Sequence, residues 1–258
     1  MSADFCGILP VKTLIIGAQG RMGSMLLKRG RRIGLEMEGL DQPLTTMRIS
    51  QVCSATDLAL FCVPAAVLPD VLAKVCPYLP STAVLADITS VKEGPLRQMA
   101  RAWSGPVVGT HPLFGPNPEH GADLPVAIIP GAHAEAGHLA LVENFFIRLG
   151  CRIFTCTAAQ HDQAMARIQS MNFITNLAYF AMLAQQKELL PFLTPSFRRR
   201  QQAAQKMLTE DAQLFSGLFD ANPYCHEAVH QYRQMLNLAA AGDIDLLCHR
   251  AQWWWERD

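Results

Sequence analysis

The stretch at residues 11–23 constrains this chain more than any other. An apolar, β-branched run (Val11-Lys12-Thr13-Leu14-Ile15-Ile16) ends in Gly17-Ala18-Gln19-Gly20-Arg21-Met22-Gly23, and a helical pattern follows through Arg32. Strand, glycine turn and helix in that order make a dinucleotide-binding unit. Gly20 lets the backbone approach a pyrophosphate, and Gly23 lets the helix pack closely on its strand. The free N–H groups at the helix N-terminus then face the phosphates. Gly17, Gln19, Gly20, Arg21, Met22 and Gly23 are therefore the candidate cofactor contacts. Residues 35–41 read as the next strand, which ends in Asp41, about 20 residues past the glycines, where an acid binds the adenine ribose hydroxyls. A carboxylate repels a 2′-phosphate, so NAD is expected over NADP. Arg48 is the residue able to reverse that preference.

The alternation continues. Residues 57–64, 82–87, 106–109, 126–129 and 152–154 read as strands. One helix runs on from the first of these through Cys76, another opens at Pro95-Leu96, and a third covers 133–149. Strands alternating with helices imply a parallel, doubly wound α/β sheet. Ligands bind outside the carboxyl ends of such strands. The glycine turn, Asp41, Val63 with Pro64, Ser90 and His111 all fall there. His111 ends an apolar run and opens His111-Pro112-Leu113-Phe114-Gly115-Pro116, whose proline and glycine residues turn the chain sharply. A histidine held at a strand end is a candidate acid or base, because its ordinary pKa is near neutrality.

From about residue 158 no strand candidate remains. The expected organisation is a Rossmann-type NAD(P)-binding domain over 1–156 and an all-α domain over 157–258. Residues 158–190 read as one helix, roughly 50 Å long if continuous. Between 171 and 183 it is apolar on most faces, and a helix apolar all round is buried all round. A second copy of the chain is the simplest cover, so a homodimer through this half is expected. Gln169, Asn172 and Asn176 form a polar stripe at i, i+3 and i+7. They either bond to neighbouring backbone or face a wet cavity. Thr194-Pro195-Ser196-Phe197-Arg198-Arg199-Arg200 opens another helix. An arginine turned inward there is suited to grip a carboxylate with two parallel hydrogen bonds. Residues 222–241 and 243–256 read as two further helices, with Trp253-Trp254-Trp255 placed in a core or a subunit interface.

Lys+Arg and Asp+Glu both number 22, so the net charge is zero, which argues against a nucleic-acid or anionic-membrane binder. No apolar run reaches the ~18–20 residues of a membrane span. Residues 1–10 show no basic segment followed by an apolar one, so no signal peptide is expected. The eight cysteines form no CxxC pair and read as buried free thiols of a reducing cytoplasm. Cys225-His226 with His230 matches no standard ligand spacing, and no metal is expected.

Several of these pieces together resemble the prephenate dehydrogenase family of tyrosine biosynthesis. They are Asp87-Ile88-Thr89-Ser90-Val91-Lys92, the stretch from His111 to Pro116, His161-Asp162 with Gln169, and Ser196-Phe197-Arg198 followed by Glu210-Asp211-Ala212-Gln213-Leu214-Phe215. The resemblance implies a Rossmann domain followed by a helical dimerisation domain, and NAD-dependent oxidative decarboxylation of prephenate to 4-hydroxyphenylpyruvate. It implies that His111 is the catalytic histidine, that Ser90 hydrogen-bonds near it, and that Arg198 holds a substrate carboxylate. One departure stands out. Where the family usually has a second histidine on the long helix, this chain has Phe173. Arogenate thereby becomes an alternative substrate, and Asn172 and Asn176 are expected to supply polar contacts from the same helix. A non-catalytic NAD-binding sensor is the reading from another class; the retained His111, Ser90 and Arg198 argue against it. The glycine loop also resembles that of dihydrodipicolinate reductases, but the likeness stops at the loop. No room is left for a fused chorismate mutase or ACT domain, so any tyrosine feedback is expected within these two domains.

Overall fold

A computed structural model describes residues 11–119 and 121–256. Cys6 and the leader reading of residues 1–10 lie outside the described residues. Contacts divide the chain into two compact units between His161 and Asp162, where the strand pattern alone had suggested 156/157.

The first unit holds one seven-stranded sheet. In chain order its elements are β1 (Thr13–Ile16), α1 (Arg21–Arg32), β2 (Met37–Leu40), α2 (Thr46–Cys53), β3 (Leu58–Phe61), α3 (Leu68–Val75), β4 (Val84–Asp87), α4 (Glu93–Ala102), β5 (Val107–Pro112), β6 (Pro125–Pro130), α5 (Ala136–Arg148) and β7 (Arg152–Thr155). The spatial order is β2-β1-β3-β4-β5-β6-β7. β1, β3, β4 and β5 are buried throughout, which explains their continuous apolar runs, whereas the edge strands β2 and β7 are partly exposed. Leu14, Ile16, Ala59, Phe61, Leu85 and Val107 pack with Ile49 of α2, Leu72 of α3 and Met99 of α4. Ile15, Leu60, Val84, Ala86, Val108, Val126 and Ile128 pack with Leu26 of α1 and Phe145 and Phe146 of α5. Helices thus cover both faces, as a doubly wound sheet requires.

Two features depart from the pattern expected above. The sheet is parallel from β2 through β5, but β6 runs antiparallel to β5. Among the described residues of 113–124 there is no helix, and without a helical crossover the chain returns beside β5 in the opposite sense. The second departure is α2, which the hydrophobic pattern did not reveal. It has only two turns, and only Ile49 and Cys53 are buried on it.

The described cysteines form no disulfide, but not all are buried as expected: Cys62 and Cys156 are half-buried and Cys248 is exposed. Burial pushes the Cys53 and Cys151 thiols up to about 11 and Cys76 up to about 12, so they are protonated at neutral pH.

The second unit takes in the end of α6 (Ala158–Met165), then α7 (Met171–Met182), α8 (Pro195–Thr209), α9 (Ala212–Ala221), α10 (Cys225–Ala240) and α11 (Ile244–Gln252). The single helix expected over 158–190 is interrupted. A π-helical turn, Ala166–Ser170, joins α6 to α7, and the helix ends at Met182, close to Gln185 with its φ of 67°. The core of this unit is thin, built on Ala166, Met171, Cys225 and Ala228. On α7 only Met171 and Phe173 are buried, whereas Leu177 and Met182 are exposed. The chain by itself therefore does not bury this helix all round. Trp253, Trp254 and Trp255 are 57%, 61% and 81% exposed, which excludes the core placement allowed for them above. Among the described residues, no helix is long and apolar enough to cross a membrane.

Candidate active site

The glycine turn has the close backbone packing that a phosphate-binding turn needs. Gly17 has φ +87°, and a Cβ there would lie 2.5 Å from the carbonyl oxygen of Cys62 at the end of β3. A Cβ on Gly23 would overlap the carbonyl oxygen of Gly17. The close approach at Gly23 is thus made mainly to the turn itself and to the end of β3, and less to the preceding strand than expected. The Gly20 N–H donates to the Gly17 carbonyl at 3.1 Å, and no acidic residue lies in the first turn of α1. That end of the helix keeps its positive field for an anion. Asp41 closes the turn from β2: its Oδ2 accepts the Gln19 N–H at 2.7 Å, and its Oδ1 accepts the Gln42 N–H at 2.8 Å. Each oxygen keeps a lone pair for a further donor. Val63 packs beside Gly17, while Gln19, Arg21 and Pro64 are exposed and Met22 and Arg48 are half-buried. This arrangement fits a dinucleotide.

His111 lies at the same edge of the sheet, but inside a strand and not in a turn. The last rung between β4 and β5 pairs Asp87 with Gly109. Beyond it β5 continues, supported on its other side by β6, where His111 faces Ala127. The sharp turn begins only after Pro112. The imidazole is 4% exposed, and its Nδ1 lies 2.9 Å from Nε2 of His161. Burial holds His111 well below its ordinary value near 6.5, and the neighbouring His161 and Lys92 lower it further.

Lys92 and Asp87 form a fully buried ion pair of 2.6 Å at the carboxyl end of β4. The ammonium also donates to the backbone carbonyl of Thr110 at 2.6 Å, one residue before His111. The Thr89 N–H donates to the same Asp87 oxygen at 3.0 Å, with the Thr89 hydroxyl against it. The Thr110 hydroxyl donates to the Asp87 carbonyl. One cation thus ties β4, the start of α4 and β5 together at the residue before His111.

Other expected site residues fall differently. Ser90 is half-buried on the loop after β4, and among the described residues no hydrogen bond joins it to His111. The partner of the imidazole is His161, which position alone had not singled out for a role. In the second unit Arg198, Arg199 and Arg200 are all exposed, so none turns inward within the chain. Arg200 is the one held in place. Its Nε donates to Asn176 Oδ1 at 3.3 Å, and its guanidinium lies 4.0 Å from the centre of the Tyr179 ring. Asn176 also donates to the Asn172 carbonyl at 2.8 Å, the backbone bond allowed for above. Gln169 sits in the π-helical turn, which breaks its register with Asn172. Asn172 lines a groove of about 730 Å³ with Met171, Thr175 and Met235. Phe173 is buried and stacked on Phe215 of α9, ring centres 5.5 Å apart.

The family described as prephenate dehydrogenase, nucleotide-binding domain, matches residues 25–155, about half of the chain. The chain belongs to the prephenate dehydrogenase family. The matched span takes in Asp41, Lys92 and His111. The T-protein of Enterobacter agglomerans is 29% identical over 232 residues, 88% of this chain and 61% of that protein. The T-protein of Haemophilus influenzae is 28% identical over 211 residues, 80% of this chain and 55% of that protein. This chain thus spans little more than half the length of those relatives. Among solved structures, the arogenate dehydrogenase of Synechocystis has a TM-score of 0.77 at 22% identity, covering 94% of this chain and 97% of that one. The prephenate dehydrogenase of A. aeolicus, in complex with hydroxyphenyl propionate and NAD+, has a TM-score of 0.78 at 16% identity, covering 95% and 96%. At these identities the structural likeness carries the fold of the family: a Rossmann-like sheet followed by helices.

Removing one partner of a buried ion pair leaves the other charge uncompensated, at a cost of about 3–5 kcal/mol. Lys92→Met is expected to lower unfolding stability in urea by that amount. The double variant with Asp87→Asn is expected to lose less than the sum of the two single losses.

Proposed function

We propose that this chain catalyses NAD-dependent oxidative decarboxylation of prephenate to 4-hydroxyphenylpyruvate. The observation that carries the reading is His111: a buried imidazole, held neutral, at the sheet edge that also carries the glycine turn and Asp41. A bound nicotinamide dinucleotide supplies the hydride acceptor. Gly17, Gln19, Gly20, Arg21, Met22 and Gly23, with Val63 and Pro64, are proposed to hold it, and Asp41 to take its adenine ribose.

The chemistry suits these side chains. As hydride leaves the ring carbon bearing the hydroxyl, the C–O bond gains carbonyl character and the hydroxyl proton must be accepted. A neutral histidine does this. With Nδ1 engaged by His161, Nε2 is the nitrogen of His111 that takes the proton. Loss of CO2 from the opposite ring carbon then restores aromaticity. Ser90 is proposed to orient the hydroxyl and Arg198 to anchor a substrate carboxylate, with Gln169, Asn172 and Asn176 as further polar contacts.

Arogenate is the second reading. The position where the family usually carries a histidine holds Phe173, turned into a stack with Phe215, and a ring so buried offers the substrate side chain no polar group. A homodimer through the second unit is also proposed. The exposed Ile168, Leu177, Met182, Leu236 and Trp255 support it, as apolar surface on this scale marks association.

Prephenate or arogenate, each with NAD or NADP, is to be given to the purified protein while reduced nicotinamide is followed by absorbance. Turnover is expected with prephenate and NAD; silence in all four combinations sinks the reading. His111→Asn is expected to lower kcat by about 10²–10⁴-fold, the contribution of a positioned base. A base must be neutral to act, and His111 stays neutral well below 6.5. The rate is therefore expected to hold as pH falls through 6.5, with its acid limb at lower pH. In sedimentation at micromolar concentration the protein is expected to run as two chains, and a single chain would refute the dimer.

A further inference from the structure

The contact between His111 and His161 assigns a role to a residue not yet given one. We propose that His161 is a positioning residue for His111: its Nε2 accepts the Nδ1–H of His111, and this selects the tautomer whose Nε2 is free to take a proton. The inference rests on the reading of His111 as proton acceptor and deepens it.

A neutral imidazole carries its proton on one nitrogen only, and the hydrogen bond made by one nitrogen decides the state of the other. The 2.9 Å contact runs from His111 Nδ1 to His161 Nε2. If His161 were the donor, His111 would carry its proton on Nε2 and have no site left for another. If His111 donates, Nε2 is a base. Proton acceptance at Nε2 then needs no ring flip, and the imidazolium it forms still donates Nδ1–H to the same partner. The two rings meet edge to face, 69° between their planes, which also keeps the His111 ring from rotating about its last side-chain bond.

The fold places His161 with care. Cys156 donates its N–H to Ile128 of β6, and β6 carries Ala127 opposite His111. The chain then enters α6 through a reciprocal cap: the Thr157 N–H donates to Gln160 Oε1 at 2.9 Å, and the Gln160 N–H donates to Thr157 Oγ1 at 3.2 Å. Thr-x-x-Gln is the capping-box pattern, and it fixes the first turn of a helix. His161 is the next residue, and its N–H donates to the Thr157 carbonyl. Sheet register and helix cap together deliver its ring, 3% exposed, to Nδ1 of His111.

Among the described residues, His161 and Lys92 are the groups that act electrostatically on His111. His161 approaches from α6, and Lys92, paired with Asp87, from the β4–α4 segment. From β6 the opposing residue is Ala127, which does not titrate. His161 and Lys92 both oppose protonation of His111. Replacing His161 by a neutral amide leaves an acceptor but removes one of the two opposing groups.

The test uses the full chain loaded with NAD and prephenate. His161→Leu is expected to lower kcat about 10²-fold, the lower end of what a positioned base contributes, while the Kd for NAD stays within twofold. His161→Gln, which keeps an oxygen acceptor, is expected to recover much of kcat and to move the acid limb of kcat/KM to higher pH. A wild-type kcat in His161→Leu, or an unmoved acid limb in an active His161→Gln, overturns the proposal. Imidazole ¹⁵N NMR of the wild-type protein is independent of any variant's folding. His111 is expected to show a protonated Nδ1 and a bare Nε2, and the opposite tautomer overturns the proposal even where turnover is normal. Failure of the wild-type protein to turn over any substrate would strike the proposed function and leave the tautomer measurement standing.

Discussion

The buried ion pair of Lys92 and Asp87 is the constraint on which the candidate site depends. Two full charges removed from water are costly unless each is well partnered. Here the ammonium reaches both the Asp87 carboxylate and the Thr110 carbonyl, so its burial pins β5 to β4 just beyond their last rung. His111 follows Thr110. A residue in that position, in a strand held by a cation on one side and by β6 on the other, has little freedom of backbone. The same cation opposes protonation of the imidazole, so position and chemistry come from one interaction.

The nucleotide end of the sheet rests on a different principle. There the limiting quantity is space. Side chains at Gly17 or Gly23 would collide with the carbonyls of Cys62 and Gly17, so the turn exists only without them. Asp41 then spends two hydrogen bonds on backbone N–H groups at the turn and at the end of β2, holding both strand ends at one edge. The second unit contrasts with this. Its core is small, and much apolar surface on α7, α10 and the chain beyond α11 stays in contact with water.

Much of the first unit was legible because its signals are local. The run ending at Ile16, the glycines after it and the pattern through Arg32 lie within two dozen residues, and β1 and α1 form there. Period and burial agree wherever a strand is covered on both faces. The hydrophobic pattern was a poorer guide where an element is short, as in α2, or where a local defect intervenes, as in the π-helical turn before Met171. The resemblance implied a hydrogen bond near His111 from Ser90, whereas the hydrogen-bond partner of the ring is His161. The reciprocal cap of Thr157 and Gln160 emerges only in the structure, and nothing local says which strand that helix start will meet.

The sequence by itself determined the strand–turn–helix unit, the alternation that yields a doubly wound sheet, the acid after β2 and the change to helices near residue 158. All of these are repeating or contiguous patterns, whose physical causes act over a few residues. Only the tertiary structure decided that β6 turns antiparallel, that Lys92 is buried against Asp87 and Thr110, and that His161 meets His111. Those contacts join residues from 5 to 50 positions apart, and they depend on sheet register and on burial. A side chain's partners in a packed interior are chosen by which strands and helix ends converge there, and no run of adjacent residues records that choice.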